Sequence, residues 1–269
     1  MKQALNVIHP EAKIGKDVVI EAFSTISADV EIGEGTWIGP NVTIMDGARI
    51  GRNCRIFPGA VISGIPQDLK FKGEKTIAEI GENSIIRECV TVNRGTSAKG
   101  KTLVGSNTML MAYVHVAHDC LIGEGCIVVN SVGLAGEVEV GDYAIIGGMT
   151  AVHQFCKIGA HSMVGGASKV RKDVPPYSRA SRDPLQYVGI NAIGLRRRNF
   201  SNETICMIKD ILNQLYQKGL NTSQALDKIL DSFPAIRERD IIVDFVRRST
   251  RGIIKGLDPE TEKDYDDDF

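Results

Sequence analysis

The sequence has no long hydrophobic run and almost no net charge. It carries 32 Lys and Arg against 33 Asp and Glu over 269 residues, a formal net charge of −1. Balanced charge provides no overall field that would attract nucleic acid or a membrane surface. Without an apolar stretch of about 20 residues, no transmembrane helix is expected. The composition therefore argues against nucleic-acid binding and against stable membrane insertion.

Two further features indicate a cytoplasmic protein. The N-terminal segment MKQALNVIHP lacks the apolar core of a signal peptide, so export is not expected. Of the six cysteines, Cys54, Cys120, Cys126 and Cys156 occupy equivalent small-residue positions of the repeat described next. Cysteine at such positions behaves as a small hydrophobe, and we predict reduced, structural thiols.

Aliphatic residues recur at a spacing of six. Isoleucine occupies every sixth position from Ile8 to Ile62, and the same phase returns unbroken from Val104 to Val170. In every uninterrupted hexad the fourth residue after the aliphatic one is small or Val. A sustained spacing of six matches neither the 3.6-residue period of a helix nor the 2-residue period of a strand. It is typical of short strands that turn at regular corners, the hexapeptide signature of a parallel β-helix.

The period divides the chain into a repeat region and a helical region. Hexads occupy residues 1–174, with interruptions near 63–79 and 94–103 that preserve the phase. Insertions in repeat proteins form loops, often on the binding face. A connector at 175–200 leads to a C-terminal domain at 201–269, which ends in an acidic tail.

The C-terminal domain has the spacing of amphipathic helices. Ser201 is a candidate N-cap of a first helix, which Gly219 is expected to end. Its apolar stripe comprises Ile205, Ile208, Ile211, Leu212 and Leu215. Thr222 is a candidate cap of a second helix, and a third is predicted over 237–250.

One corner of the repeat collects residues suited to proton transfer. If three hexads form one triangular coil, residues 18 apart stack about 4.8 Å from each other. His118, Gly136 and Gln154 then share a column, and His153 lies in the column before it. Imidazole is the usual general base at neutral pH, and Asp119 is placed to orient it. A Gly136 N–H one coil away suits an oxyanion, although a glycine there equally suits a tight bend. The period leaves the handedness open.

Several sequence motifs are more specific than the hexad spacing. They are QDLKFKGE, HVAHDC, IIGGMTAVHQF, IGAHSMVGG, DVPPY and GLRRRNF. With them the sequence resembles, over nearly its whole length, the acyl-carrier-protein–UDP-N-acetylglucosamine O-acyltransferases that begin lipid A biosynthesis. The resemblance implies a left-handed parallel β-helix followed by a C-terminal α-helical domain. It also implies a homotrimer with active sites between subunits.

The resemblance further implies a reaction and residue roles. His118, supported by Asp119, would deprotonate the 3-hydroxyl of UDP-N-acetylglucosamine for attack on the thioester of an (R)-3-hydroxyacyl carrier protein, with Gly136 as oxyanion hole. It implies no metal and no cofactor, because the acyl group arrives on the phosphopantetheine of acyl carrier protein. The matching substrate-binding positions are Gln67, Asp68, Lys70, His115, His153, Gln154, Gly166, Asn191, Arg197 and Arg198.

Some positions bear on the substrates. Asn93 and Glu137 stand where the family often has histidine, and Ile193 where it often has glutamate, which leaves UDP-N-acetylglucosamine and its 3-amino analogue both open as acceptors. Gly166 occupies a position proposed to limit the acyl pocket and predicts a long donor, of about fourteen carbons or more. Since the carrier protein is acidic, a basic docking surface is expected. Its candidates are Lys169, Arg171, Lys172, Arg179, Arg182 and Arg196.

Three alternative functions fit parts of the pattern. The sister N-acyltransferase of the same pathway acts on a glucosamine amine, but it typically has an added domain before its repeats. A γ-type carbonic anhydrase binds Zn²⁺ through three histidines, for which His115, His118 and His153 are candidates; the GLRRRNF string and helical C-terminus have no role there. A non-catalytic solenoid leaves the convergence of histidines near Gly136 without explanation.

Overall fold

A left-handed parallel β-helix forms most of the computed structural model, which describes residues 5–217 and 219–257. Successive strands belong to different sheets, and each strand pairs in parallel with the strand one coil further along. The fold class expected from the resemblance is therefore confirmed. The predicted acidic tail, residues 258–269, lies outside the described residues.

Three sheets form the sides of the solenoid, and nearly all their strands are two to four residues long. The first sheet contains Val7–Ile8, Thr25–Ile26, Thr43–Ile44, Val61–Gly64, Thr91–Asn93, His115–Val116, Gly133–Leu134, Ala151–Val152 and Lys169–Val170. The second contains Lys13–Ile14, Val30–Ile32, Ala48–Ile50, Ile77–Ile80, Lys101–Val104, Leu121–Ile122, Glu139–Val140 and Lys157–Ile158. The third contains Val19–Ile20, Trp37–Ile38, Arg55–Ile56, Ile85–Ile86, Met109–Leu110, Ile127–Val128, Ile145–Ile146, Met163–Val164, Ser178–Ser181, Gln186–Ile190 and Lys255–Gly256.

The hexad aliphatic residues fill the interior. From Ile26 to Val170 each of them is at most 4% exposed, so burial of this single column of side chains on each side drives the stacking. Ile8, in the terminal coil, is 41% exposed. A terminal coil has a neighbouring coil on one side only, whereas an internal coil is covered on both.

At most corners the residue three positions after the hexad aliphatic residue has the left-handed backbone conformation. Non-glycine residues there, among them Asp119 and Glu137, have φ between +53° and +66°. The small residue that follows is buried, as at Cys120 and Cys126. Burial raises the pKa of both thiols to about 12, so they stay protonated and unreactive. All six cysteines lie among the described residues and are unpaired.

The two interruptions leave the stack intact. Val61 pairs with Thr91 across the first, and Ile80 pairs with Val104 across the second. The first interruption protrudes, with Leu69 fully exposed at its tip. The second folds back onto the next coil, as described below.

The connector contains structure that the hexad period does not predict. Ser178–Ser181 extends the third sheet in parallel, and Gln186–Ile190 returns antiparallel to it. A short helix, α1 (Ala192–Arg197), follows. These elements join the last coil to the helical region.

Three further helices follow among the described residues: α2 (Asn202–Leu215), α3 (Thr222–Ser232) and α4 (Arg237–Arg247). The Ser201 hydroxyl accepts from the Thr204 N–H and caps α2, as predicted, and the predicted apolar stripe of α2 is buried. None of the helices in the described ranges has both the length and the apolar character needed to cross a bilayer.

Three helix boundaries differ from the prediction. Helix α2 ends at Leu215 with Tyr216 as its C-cap, and so stops before Gly219. Asn221 rather than Thr222 caps α3, through a capping box in which its side chain and that of Gln224 bind each other's backbone N–H. Helix α4 ends at Arg247, short of residue 250.

Candidate active site

His118 and Asp119 occupy one corner of the solenoid, directly after the strand His115–Val116. His118 Nδ1 lies 2.8 Å from Asp119 Oδ2. Asp119 is fully buried, while His118 is 8% exposed. With Nδ1 directed at the carboxylate, Nε2 is the nitrogen left to accept a proton from a substrate.

The Asp119 carboxylate is stabilised in its ionised form. Burial raises its pKa, but hydrogen bonds from Thr96 and His118 outweigh burial and hold the pKa below its usual value. The Thr96 hydroxyl donates to Oδ2 at 2.6 Å, and the N–H groups of Thr96 and Lys99 donate to Oδ1 at 2.9 and 3.2 Å. The result is a buried negative charge in contact with the imidazole.

Gly136 lies against the His118 ring. The two coils are joined there by the Glu137 N–H, which donates to the His118 carbonyl at 3.0 Å. A Cβ added to Gly136 would lie 2.6 Å from both Cε1 and Nε2 of His118. Gly136 is not among the glycines with positive φ, so close approach of the imidazole, not a tight bend, explains the glycine.

The Gly136 N–H is free for a ligand. No acceptor within the described parts of the chain takes a hydrogen bond from it, and the absent side chain leaves the space beside it to the imidazole. A backbone N–H next to a general base is the arrangement that stabilises a developing oxyanion.

His115 lies three residues before His118, on the strand His115–Val116 of the same coil. Its Nδ1 lies 2.7 Å from the Thr91 hydroxyl. Burial, and then the nearby His118, lower its pKa, which favours the neutral imidazole. His115 pairs with Gly133 in the next coil, so no side chain covers it from that side.

His153 and Gln154 lie one coil beyond Gly136. The Phe155 N–H donates to the Gly136 carbonyl at 3.3 Å, which gives the register expected from the spacing of 18. His153 is exposed, and its Nδ1 lies 3.0 Å from the Gln154 carbonyl. The structure therefore brings His118, Gly136 and Gln154 into one column.

The predicted residues of the first loop are not part of this corner within one chain. Gln67 and Lys70 are exposed, and Asp68 is half-buried. The Asp68 carboxylate accepts from the Lys70 N–H at 3.0 Å. Across the described residues, no hydrogen bond or ion pair connects this loop with His118 or Asp119.

Asn191 has a local structural role. Its Oδ1 accepts from the Gly194 N–H at the start of α1, and its Nδ2 donates to the His161 carbonyl at 2.9 Å. The residue is 3% exposed. Both ends of the amide are thus engaged in attaching α1 to the solenoid.

Two arginines at the C-terminal end of α1 differ in their exposure to solvent. Arg197 is exposed, whereas the Arg198 guanidinium packs 4.9 Å from the centre of the Tyr143 ring and donates to the Gly194 carbonyl. Planar guanidinium groups bind phosphate oxygens in pairs. Ile193, on the same helix, is 64% exposed.

The positions tied to substrate choice lie at two places. Asn93 is buried, its Nδ2 donates to the Ile65 carbonyl at 3.1 Å, and its Oδ1 has no hydrogen-bond partner among the described residues. Glu137 is half-buried next to Gly136. Gly166 is exposed, and a Cβ on it would approach the Gly148 carbonyl to 3.2 Å. Gly148 and Gly166 are therefore stacked, and together they leave a track without side chains, here called the glycine track.

The basic candidates are spread around the last coils. Lys169, Arg171 and Lys172 line a groove of about 400 Å³ together with Lys255. Lys169 also pairs with Asp183 at 2.8 Å. Arg196 is exposed on α1, and Arg179 and Arg182 lie on or next to Ser178–Ser181.

Two features of the site were not predicted from the sequence. The first is the contact of Thr96 and Lys99 with Asp119, for which the only signal was the interruption of the hexads at 94–103. The second is an aromatic stack in which His161 lies between Tyr143 and Tyr177, with ring centres 5.1 and 5.6 Å away. Burial, and then Arg198, lower the His161 pKa to about 4.

The zinc alternative would use His115, His118 and His153. Within the parts of one chain that the structure describes, no three His, Cys, Asp or Glu side chains are grouped as a metal site requires.

Comparison with known families gives two matches. Residues 173–254 match the family described as UDP-N-acetylglucosamine O-acyltransferase, domain 2. Residues 29–64 and 101–136 match the bacterial transferase hexapeptide repeat.

Curated relatives match over most of their length. The acyl-[acyl-carrier-protein]–UDP-N-acetylglucosamine O-acyltransferase of Sulfurihydrogenibium sp. (strain YO3AOP1) is 55% identical over 258 residues, 96% of this chain and 94% of its own. The protein of the same name from Aquifex aeolicus (strain VF5) is 55% identical over 197 residues, 73% of this chain and 76% of its own.

Solved structures agree in fold. The UDP-N-acetylglucosamine acyltransferase of Bacteroides fragilis superimposes with a TM-score of 0.92 at 55% identity, over 95% of this chain and 100% of the other. The enzyme of Francisella novicida gives 0.91 at 42% identity, over 96% and 94%. The similarity covers both the solenoid and the helices.

Proposed function

Because the chain belongs to the family of acyl-[acyl-carrier-protein]–UDP-N-acetylglucosamine O-acyltransferases, we propose that it acylates UDP-N-acetylglucosamine with His118 as general base. It is an acyltransferase that takes its acyl group from acyl carrier protein. Its relatives are O-acyltransferases, which favours this reaction over the N-acyltransferase, carbonic anhydrase and scaffold alternatives. The contact of His118 with both Asp119 and Gly136 is the observation that carries the mechanism.

The proposed reaction is one proton relay and one acyl transfer. His118 Nε2 accepts the proton of the sugar 3-hydroxyl while the oxygen attacks the thioester carbon of an (R)-3-hydroxyacyl carrier protein. The carbonyl oxygen becomes an oxyanion that the Gly136 N–H stabilises. As the intermediate collapses, the C–S bond breaks and the imidazolium returns its proton to the phosphopantetheine sulfur. Asp119 stabilises the imidazolium throughout.

We propose that the active unit is a homotrimer. Across the described residues, the loop that carries Gln67, Asp68 and Lys70 makes no hydrogen bond or ion pair with His118 or Asp119 of its own chain. Tyr113 and Met149, at the corner that precedes the strands His115–Val116 and Ala151–Val152, are 65% and 74% exposed. A second copy that covers these side chains and contributes its loop would explain both observations. Light scattering on the purified protein checks the mass.

The length of the acyl donor, the identity of the acceptor sugar and the docking site of the carrier protein are also proposals. The glycine track at Gly148 and Gly166 supports a long 3-hydroxyacyl donor. Glu137 and Asn93 leave the choice between a 3-hydroxyl and a 3-amino acceptor to experiment. The groove lined by Lys169, Arg171 and Lys172 supports docking of the acidic carrier protein.

The cellular setting follows from the reaction. The buried, unpaired thiols support a reducing compartment, and acyl carrier protein as donor fits the cytoplasm. The absence of a cofactor stays a prediction, as does the position of the reaction at the start of lipid A biosynthesis.

The test is acyl transfer from (R)-3-hydroxyacyl carrier proteins of several chain lengths to UDP-N-acetylglucosamine, with His118→Ala in parallel. General base catalysis contributes about 10²- to 10⁴-fold, so we expect a loss of that size in kcat. Transfer that survives in the variant would remove His118 from the centre of the mechanism. No transfer with any donor would direct attention to the 3-amino sugar and then to zinc content.

A further inference from the structure

We infer that Thr96 is a positioning residue for this reaction, which holds the Asp119 carboxylate in the orientation that binds His118. The inference rests on the proposed roles of His118 and Asp119. Thr96 lies in the second interruption of the hexads, 94–103, and belongs to none of the motifs that point to the site.

The loop 94–103 holds Asp119 from both ends. Thr96 donates to both carboxylate oxygens, through its hydroxyl to Oδ2 at 2.6 Å and through its N–H to Oδ1 at 2.9 Å. The Lys99 N–H adds a third bond, to Oδ1 at 3.2 Å. The Asp119 N–H in turn donates to the Thr102 hydroxyl at 2.8 Å. Carboxylate and backbone are therefore fixed by the same short segment.

The Thr96 hydroxyl and the imidazole share one oxygen. Both approach Asp119 Oδ2, at 2.6 and 2.8 Å. Asp119 is fully buried and Thr96 is 6% exposed, so water does not replace a missing donor readily. Without the hydroxyl, Oδ2 would have His118 as its remaining side-chain donor, and the carboxylate would lose one of the bonds that fix its plane.

The loop is itself anchored to the solenoid. The Thr76 hydroxyl donates to the Gly95 carbonyl at 2.6 Å, and the Gly95 N–H donates to the Ile77 carbonyl at 3.1 Å. On the other side, Lys99 Nζ lies 3.4 Å from Glu139, which also binds Lys157 at 3.0 Å. A donor on an anchored segment is pre-organised, as support for a catalytic group requires.

The experiment compares Thr96→Val, which removes the hydroxyl at nearly constant shape, with Thr96→Ser, which keeps it. Thr108→Val is the matched control. Thr108 is also buried, and its hydroxyl donates to the Gly123 carbonyl at 3.0 Å, but it makes no hydrogen bond with Asp119. Each variant is assayed for kcat, for KM of both substrates, for the pH dependence of kcat/KM and for Tm.

For Thr96→Val we expect kcat to fall about 10- to 100-fold, because a reacting group is misplaced, with KM values near those of the wild type. The acid limb of kcat/KM should move to lower pH, since a carboxylate turned out of its orientation stabilises the protonated imidazole less. Thr96→Ser should restore both values. Thr108→Val should lower Tm at most and leave kcat and the acid limb unchanged.

The effect must also disappear when its target is removed. In a His118→Ala or Asp119→Asn background, Thr96→Val should cause little further loss of kcat, because residues that act through one group are not additive. Wild-type kcat and an unmoved acid limb in Thr96→Val, or an undiminished further loss in both backgrounds, would overturn the inference. If His118→Ala alone retained activity, the proposed base would be wrong, a failure distinct from that of Thr96.

Discussion

A single methyl group at Gly136 should disable the enzyme while leaving its fold in place. The Cβ of Gly136→Ala would lie 2.6 Å from Cε1 and Nε2 of His118, against about 3.5–4.0 Å for an ordinary carbon contact. The imidazole must therefore move by about 1 Å. The atoms that the added Cβ meets belong to a side chain and not to backbone, so the strain should change the site and not the solenoid.

The expected loss follows from two effects. A misplacement of about 1 Å can cost about 10²-fold in rate, and an impaired oxyanion donor costs about 10²- to 10³-fold. Both effects arise from the same contact between the new methyl group and the imidazole, so they are not expected to multiply. We expect a combined loss in kcat of about 10²- to 10³-fold, or about 2.7–4 kcal/mol. Steady-state kinetics with a 3-hydroxyacyl carrier protein measures it, together with Tm for the fold.

Gly133→Ala is the control on the same coil. A Cβ there meets no atom within 4 Å, so this variant should keep the wild-type Tm and most of the wild-type kcat. If Gly136→Ala turned over at the wild-type rate with the fold intact, neither the close packing of His118 nor the oxyanion role of Gly136 would be correct.

Two further predictions concern stability and specificity. The His161 pKa is lowered to about 4 in the folded protein, against about 6.5 in the unfolded chain, so the unfolded state binds the proton first and stability is lost as pH falls from about 6.5 towards 4. His161→Phe keeps the stack between Tyr143 and Tyr177, and should flatten the dependence of Tm on pH in that window; an unchanged slope would contradict the assignment. Gly166→Met should fill the track above Gly148 and shift the preferred donor to a shorter acyl chain; competition between donors measures this, and an unshifted preference would remove Gly166 from the acyl pocket.

Much of the fold is local in origin and therefore readable from the sequence. Each coil has the same pattern, an aliphatic residue that points inward and a small residue after the corner. Each coil contacts only its neighbours. Ser201 likewise caps α2 through a bond three residues away. The misassigned cap at Thr222 shows the limit, because Asn221 and Thr222 are both good caps and only the reciprocal bond with Gln224 separates them.

The connector was less predictable for a different reason. Ser178–Ser181 and Gln186–Ile190 form because the last coil offers an open sheet edge at Met163–Val164. Asn191 caps α1 and reaches the His161 carbonyl, 30 residues earlier in the chain. Neither the strand pairing nor the bond from Asn191 to His161 follows a regular spacing, so no period in the sequence predicts them.

The solenoid and the column of His118, Gly136 and Gln154 follow from the hexad period, because a fixed period converts position along the chain into position in space. The support of that column depends on tertiary packing. The contact of Thr96 with Asp119 joins residues 23 apart, outside the repeat of 18, across a loop whose path is set by the coils on either side. The close approach of His118 to Gly136 is likewise a matter of tenths of an ångström. Such distances depend on packing, which a period does not encode.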